Sequence, residues 1–98
     1  MFSRLLRRRA TPPTTLVFLT KEDCHLCDVA LQAVEQARRK HSFDLQVIKI
    51  QEGDEWWERY WDKIPVGLID GAMIFKYRID VEELVKKVKR RSSNFTLS

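Results

Sequence analysis

The position of two cysteines relative to the first strand and the first helix is the feature that most constrains how this chain folds. Cys24 and Cys27 are three positions apart, shortly after the apolar run Leu16-Val17-Phe18-Leu19 and at the start of a helical pattern. A short continuous apolar run is typical of a strand that is buried on both faces. The two cysteines are therefore expected in the turn that leads from a buried strand into a helix.

The segment from His25 to Lys40 has the periodicity of an amphipathic helix. Asp23 is positioned to cap its start, because a carboxylate there accepts hydrogen bonds from the unpaired N–H groups of the first turn. Basic residues fill the last turn, where they favour the negative end of the helix dipole. Four apolar residues, at spacings of four, four and three positions, are predicted to form the buried stripe: Leu26, Ala30, Val34 and Ala37.

Patterns further along the chain predict three more strands and two more helices. Strands are expected over residues 44–50, 66–69 and 73–77, and helices over residues 54–61 and from Asp80 onward. Asp70-Gly71 is typical of a tight hairpin between the last two strands. Asp80 with Glu83 has the spacing of a capping box at the start of the last helix.

This order of elements predicts an α/β fold with one sheet. The sequence of elements is strand, helix, strand, helix, hairpin, helix. Because the first two strands are joined through a helix, they should be parallel, with a right-handed crossover. The prediction is a four-stranded mixed sheet with helices packed on both faces.

The excess positive charge of the chain lies at its N-terminus. Arg4, Arg7, Arg8 and Arg9 precede the first acid, and the rest of the chain has 14 basic and 14 acidic side chains. Residues 1–14 are therefore interpreted as a basic arm or a mitochondrial transit peptide, residues 15–91 as the domain and residues 92–98 as a polar tail. A neutral domain argues against nucleic acid as a partner. Since no apolar run approaches ~20 residues, we also expect no membrane span.

Two cysteines at this spacing have three interpretations: a redox pair, part of a zinc site, or two small buried apolar residues. A closed zinc site needs four ligands, and His41 is too far along the helix to join the cysteines, so we expect no metal. The unpaired N–H groups and positive dipole end at the helix start favour a thiolate at Cys24. Cys27, one turn further, is placed to attack a mixed disulfide on Cys24. Cys24 is thus the predicted nucleophile and Cys27 the resolving thiol.

The charged neighbours of Cys24 have opposing effects on the stability of its thiolate. Lys21 and a protonated His25 would stabilise it, whereas Glu22, Asp23 and Asp28 would oppose it. Lys21 and His25 are candidate substrate-binding residues, and each also has an interpretation as an ordinary surface side chain.

The tripeptide Ile64-Pro65-Val66 stands at the start of the third strand. Taken together with the cysteine motif, it resembles the pattern of the thioredoxin superfamily. Taken alone, the proline is also explained as a residue at the entry of a strand. Members of the superfamily keep a cis-proline opposite their Cys-x-x-Cys motif. The resemblance implies that Pro65 is cis, that the backbone of Ile64 pairs with a substrate strand, and that Cys24 and Cys27 form a redox-active disulfide.

Over residues 15–91 the chain most resembles the glutaredoxin-like proteins of that superfamily. Lys21, three positions before Cys24, matches the lysine of the glutaredoxin motif, and Phe18 stands where thioredoxins carry an acid. Glutaredoxins hold glutathione with a Gly-Gly pair and an acidic helix start, where this chain has Tyr77-Arg78-Ile79-Asp80. By the resemblance, Asp80 is a candidate substrate-binding residue whose helix offers N–H groups to a carboxylate.

The function predicted from these features is thiol–disulfide exchange on protein or glutathione mixed disulfides. We expect no tightly bound cofactor, with glutathione as a candidate cosubstrate, and a reductase or glutathione as the electron donor. We expect a monomer located in the mitochondrial matrix or the cytoplasm. Two alternatives remain open: a glutaredoxin-like carrier of an iron–sulfur cluster or another metal, and a non-enzymatic interaction module.

Overall fold

The structure is a computed structural model that describes residues 14–97, with side chains over residues 14–91. Apart from Thr14, the predicted basic arm lies outside the described residues. The strands are β1 (Thr15–Thr20), β2 (Asp44–Lys49), β3 (Val66–Ile69) and β4 (Ala72–Lys76). The helices are α1 (His25–Lys40), α2 (Glu55–Tyr60) and α3 (Val81–Leu97). This is the predicted order of elements.

The four strands form one mixed sheet in the order β2-β1-β3-β4. β1 runs parallel to β2, with Thr15 opposite Asp44 and Thr20 opposite Lys49. β3 is antiparallel to both β1 and β4. The predicted four-stranded mixed sheet is confirmed, and the central position of β1 explains why its sequence is a continuous apolar run.

Apolar clusters lie on both sides of the sheet, because successive residues of a strand point to opposite faces. Leu16 and Phe18 of β1 belong to the first cluster. The residues of helices α1 and α3 in this first cluster are Ala30, Val34, Ala37, Leu84, Val85 and Val88. Leu19 belongs to the second cluster, which includes Tyr60 of α2. Helices therefore cover both faces, as predicted.

Helix α1 has the predicted bounds but a different cap and a different buried stripe. Its N-cap is Cys24, whose sulfur accepts the N–H of Cys27, and Asp23 takes a left-handed conformation with φ of 51°. The prediction that Asp23 caps the helix is therefore wrong. The stripe begins at Cys27, which is 2% exposed, whereas Leu26 is 46% exposed.

The hairpin and the last helix begin as the sequence predicts. Asp70 and Gly71 both have positive φ, 51° and 80°, which is the geometry of the tight turns that match the twist of two antiparallel strands. Asp80 caps α3, since its Oδ2 accepts the N–H of Glu83 at 3.3 Å. Because neither Gly nor Pro interrupts the chain after Arg91, α3 continues to Leu97 through most of the segment expected to be a tail.

Candidate active site

Cys24 and Cys27 are joined as a disulfide in the turn between β1 and α1. Their Cα atoms are 5.2 Å apart, within the range that disulfides require. Cys24 is half-buried and lies against the second apolar cluster, of which Cys27 is a buried member. The two sulfurs therefore differ in access: Cys24 faces outward and Cys27 lies beneath it.

Main-chain groups at the start of α1 converge on Cys24. The N–H of Cys27 donates to the Cys24 sulfur at 3.1 Å. The carbonyl of Cys24 accepts the N–H groups of Cys27 and Asp28, at 3.2 Å and 3.3 Å. An N–H group and the positive end of a helix dipole aimed at a sulfur favour the thiolate over the thiol. The local backbone thus suits Cys24 as a nucleophile once the disulfide is reduced.

The proline loop, defined here as residues 62–65, packs against the same cluster as the cysteines. The Ile64–Pro65 peptide bond is cis, as the resemblance implies. Ile64 and Pro65 are buried, and Ile64 shares the second cluster with Cys27. Within the described residues, neither the N–H nor the carbonyl of Ile64 has a hydrogen-bond partner. These groups are the ones that the resemblance assigns to pairing with a substrate strand.

Lys21 lies against Trp57 of helix α2 and Trp61, the residue that follows the helix. Its ammonium nitrogen is 3.4 Å from the carbonyl oxygen of Trp61 and 6.0 Å from the centre of the Trp57 ring. The Trp57 and Trp61 rings stack with centroids 6.4 Å apart. The contacts of Lys21 therefore hold it on the aromatic side of the site, next to a surface depression that it lines with Glu22, Lys49 and Trp57.

The other two charged candidates have different surroundings. His25 is exposed at the first position of α1, and its side chain makes no hydrogen bond or ion pair within residues 14–91. Asp80 is exposed, and its carboxylate is engaged with the first turn of α3. The structure thus brings Cys24, Cys27 and Ile64 into one cluster and places Lys21 beside its aromatic edge. Among the described residues, neither the His25 nor the Asp80 side chain makes a hydrogen bond to a member of that cluster.

An apolar groove beside α1 contains residues that the sequence did not single out as functional. The groove has a volume of about 290 Å³ and is lined by Leu26, Val29, Ala30, Tyr77, Arg78 and Ile79. Leu26 and Val29 are 46% and 51% exposed. The sequence signal for this groove would have been two large apolar residues, Leu26 and Val29, three positions apart on the exposed face of α1. The predicted stripe assigned Leu26 to the core instead.

Two further ion pairs border the site. Glu22, next to the cysteine turn, pairs with Lys49 of β2 at 3.4 Å. In the proline loop, the Lys63 ammonium donates to Asp62 at 3.1 Å, and this hydrogen bond holds the pKa of the Asp62 carboxyl below its usual value. Both pairs are largely solvent-exposed, so their contribution to stability is small.

Neither a metal cluster nor a membrane span is found in the described part of the chain. Among residues 14–91, whose side chains are described, no group of three or more His, Cys, Asp or Glu side chains is arranged to hold a metal ion. Among residues 14–97, no helix is long and apolar enough to cross a membrane.

The fold and the disulfide in its first strand-to-helix turn define a thioredoxin-like protein. The solution structure of protein Ne2328 from Nitrosomonas europaea matches with a TM-score of 0.67 and 25% identity, over 79% of this chain and 93% of that one. Protein XcR50 from X. campestris matches with a TM-score of 0.66 and 25% identity, over 76% and 96%. Thioredoxin 1 from Thermosipho africanus shares the fold, with a TM-score of 0.57 and 14% identity, over 81% and 94%.

Within that class, the chain belongs to the glutaredoxin-like domain family (DUF836), whose model matches residues 15–89. It is 33% identical over 73 residues to the glutaredoxin-like protein YDR286C homolog of Dictyostelium discoideum, which covers 68% of each chain. The resemblance to glutaredoxin-like proteins predicted from the sequence is confirmed.

Proposed function

We propose that this protein is a thiol–disulfide oxidoreductase that reduces disulfides with Cys24 as the nucleophile and Cys27 as the resolving thiol. The observation that carries the proposal is the asymmetry of the pair. Cys24 is half-exposed at a helix N-terminus with an N–H aimed at its sulfur, and Cys27 is buried one turn behind it. A thiolate must meet its substrate at the surface, whereas a resolving thiol needs to reach only the first sulfur.

The reaction takes place in two exchanges. The Cys24 thiolate attacks one sulfur of a substrate disulfide, which breaks the substrate S–S bond, forms a mixed disulfide with Cys24 and releases the other substrate sulfur as a thiolate. The Cys27 thiolate then attacks the Cys24 sulfur, forms the Cys24–Cys27 disulfide and releases the second substrate thiolate. Two electrons pass from the protein dithiol to the substrate, and the released thiolates take up the two protons.

A dithiol reductase, or two molecules of glutathione, would restore the reduced pair. Because the two cysteines hold the electrons, the cycle needs no tightly bound cofactor. The substrates we propose are protein or glutathione mixed disulfides. The chain beside the substrate cysteine would pair with the N–H and carbonyl of Ile64, which have no hydrogen-bond partner among residues 14–97. Lys21, His25 and Asp80 are proposed as secondary substrate contacts.

Turnover of a disulfide-bonded protein, such as insulin, tests this proposal. The assay is run in parallel with glutathione plus glutathione reductase and with a thioredoxin reductase, so that it also identifies the electron donor. We expect turnover in at least one system, and its loss in the Cys24→Ser variant. If the wild-type protein is inactive in both systems, or if Cys24→Ser retains full activity, the proposal is overturned.

The cellular setting is part of the proposal. Dithiol chemistry of this kind needs a compartment that supplies reducing equivalents, and the mitochondrial matrix and the cytoplasm both do. We propose that the protein acts there as a monomer, because one chain supplies both thiols. The metal-carrier and interaction-module alternatives remain predictions from the sequence.

A further inference from the structure

Tyr77 connects the proline loop to the groove beside the cysteines. Its N–H donates to the carbonyl of Pro65 at 2.8 Å and to that of Lys63 at 3.3 Å. Its phenol O–H donates to the carbonyl of Asp62 at 3.1 Å. One residue thus holds the proline loop through main-chain and side-chain hydrogen bonds.

The backbone of Tyr77 is in a conformation that aromatic residues rarely adopt. Its φ is 70°, in the left-handed region where a Cβ is unfavourable and where glycine is the usual residue. Non-glycine residues persist there only where the surrounding structure fixes them, and such positions cluster at functional sites. Here the main-chain hydrogen bonds to the proline loop fix the backbone, and Tyr77 also lines the groove.

The groove is continuous with the cysteine motif. Leu26, which lies between the two cysteines in the sequence, lines the groove together with Val29 and the partly exposed Tyr77. Arg78 is the charged residue of the lining, which contains no acid. A ligand suited to this groove therefore presents an apolar side chain, with neutral or negative charge beside it.

We propose that Tyr77 is a positioning and specificity residue: it fixes the proline loop and, with Leu26 and Val29, receives an apolar side chain next to the cysteine of a protein disulfide. The inference rests on the proposed oxidoreductase function and specifies its substrate class. Glutathione has two carboxylates and an ammonium but no apolar side chain, so it gains little from such a groove. A protein segment with Leu or Phe beside its cysteine buries that side chain there.

Single-turnover kinetics with two matched peptides test the proposal. Each peptide is a disulfide-linked dimer with an acidic residue near its cysteine, and the two differ only in having Leu or Ser next to that cysteine. The protein is reduced beforehand, so that no electron donor is involved. We expect the Leu peptide to react about tenfold more efficiently, through a lower half-saturating concentration at a similar maximal rate.

Variants separate the two roles of Tyr77. Val29→Ser should abolish most of the preference for the Leu peptide, because it replaces an apolar side chain of the groove with a polar one. Tyr77→Phe keeps the ring and removes the bond to Asp62, so it should slow both peptides several-fold and retain the preference. Tyr77→Gly removes the ring and the phenol, so it should lose the preference for the Leu peptide and also slow both peptides. Met73→Ser, near the hairpin turn and with a comparable exposure of 43%, should behave as wild type.

The outcomes distinguish this inference from the function on which it rests. If the wild-type protein reduces neither peptide, the oxidoreductase function is overturned. If it reduces both with equal efficiency, or if Val29→Ser keeps the full preference, the groove is not the specificity site although the function stands. If Tyr77→Phe leaves both rates unchanged, the positioning role is overturned. Circular dichroism on each variant shows that the fold is retained.

Discussion

The main-chain N–H of Cys27 lies 3.1 Å from the sulfur of Cys24 and donates a hydrogen bond to it. The donor belongs to the first turn of α1. When the disulfide is reduced, we expect this N–H to stabilise the negative charge of a Cys24 thiolate. Cys27 in the same turn is buried, so one short helical segment gives the two cysteines different exposure.

Alkylation of the reduced protein should show this difference directly. We expect iodoacetamide to modify Cys24 at least about tenfold faster than Cys27, because the reagent reacts with accessible thiolate and Cys27 is buried. Mass spectrometry of proteolytic fragments measures the two rates. In guanidinium chloride the rates should converge, and equal rates in the folded protein would contradict the assignment of roles.

The close approach of β3 and β4 predicts that Gly67→Ala lowers the stability of the fold. A Cβ at Gly67 would lie 2.7 Å from two atoms of the Phe75 ring, and that ring is buried against Phe18 with centroids 6.3 Å apart. We expect the free energy of unfolding to fall by about 1–3 kcal/mol, measured by urea denaturation.

A second substitution checks the cause of that loss. Phe75→Leu makes room at the contact, so the double variant Gly67→Ala/Phe75→Leu should lose less stability than the sum of the two single variants. Strict additivity of the two losses would mean that the contact with Phe75 is not responsible.

The ion pair between Lys63 and Asp62 in the proline loop predicts that the stability of the fold depends on pH. The hydrogen bond from Lys63 lowers the pKa of Asp62, aided by the charges of Lys63 and Lys76 and opposed by partial desolvation. Because the folded pKa lies below the unfolded one, the stabilisation is present above the unfolded pKa and is lost as the pH falls through the folded pKa. Lys63→Met should therefore raise the pKa of Asp62 in a carboxyl NMR titration. Lys49→Met should leave it unchanged, and an unaltered pKa in Lys63→Met would show that the bond does not form in solution.

The order of strands and helices could be predicted because each element carries a strong local pattern. The buried run of β1, the periodicity of α1 and the Asp70-Gly71 turn each determine their element within a few residues. Next to that turn, the pairing of Leu68 with Met73 follows from it, whereas an irregularity between Gly67 and Leu68 shifts the register beyond that pair. The resemblance added Pro65 and its cis bond, which no local pattern indicates.

The details at the start of α1 could not be predicted, because two stripes fit the same periodicity. Leu26 and Cys27 are both at helical spacing from Ala30, and hydropathy favours the leucine. In the structure Cys24 is the N-cap of α1, and Cys27 is the buried residue of the first turn. This orientation of the helix leaves Leu26 at the surface, where it lines the groove.

The contacts and the backbone conformation of Tyr77 also could not be predicted from local sequence patterns. Its phenol contacts a carbonyl fifteen positions earlier in the chain, and its positive φ depends on hydrogen bonds that form only when β4 lies beside the proline loop. By the resemblance, Tyr77 belongs to the segment that stands where glutaredoxins have a Gly-Gly pair, but only the assembled fold shows which groups it contacts.

Covalent trapping tests most directly the claim that Cys24 attacks and Cys27 resolves. Reduced Cys27→Ser and Cys24→Ser variants, each with one remaining cysteine, are mixed with a disulfide-linked peptide and followed by intact-protein mass spectrometry. We predict a stable adduct of one peptide per chain on Cys27→Ser, and little or none on Cys24→Ser over the same time. Rapid adduct formation by Cys24→Ser, or no adduct on Cys27→Ser, would contradict the account.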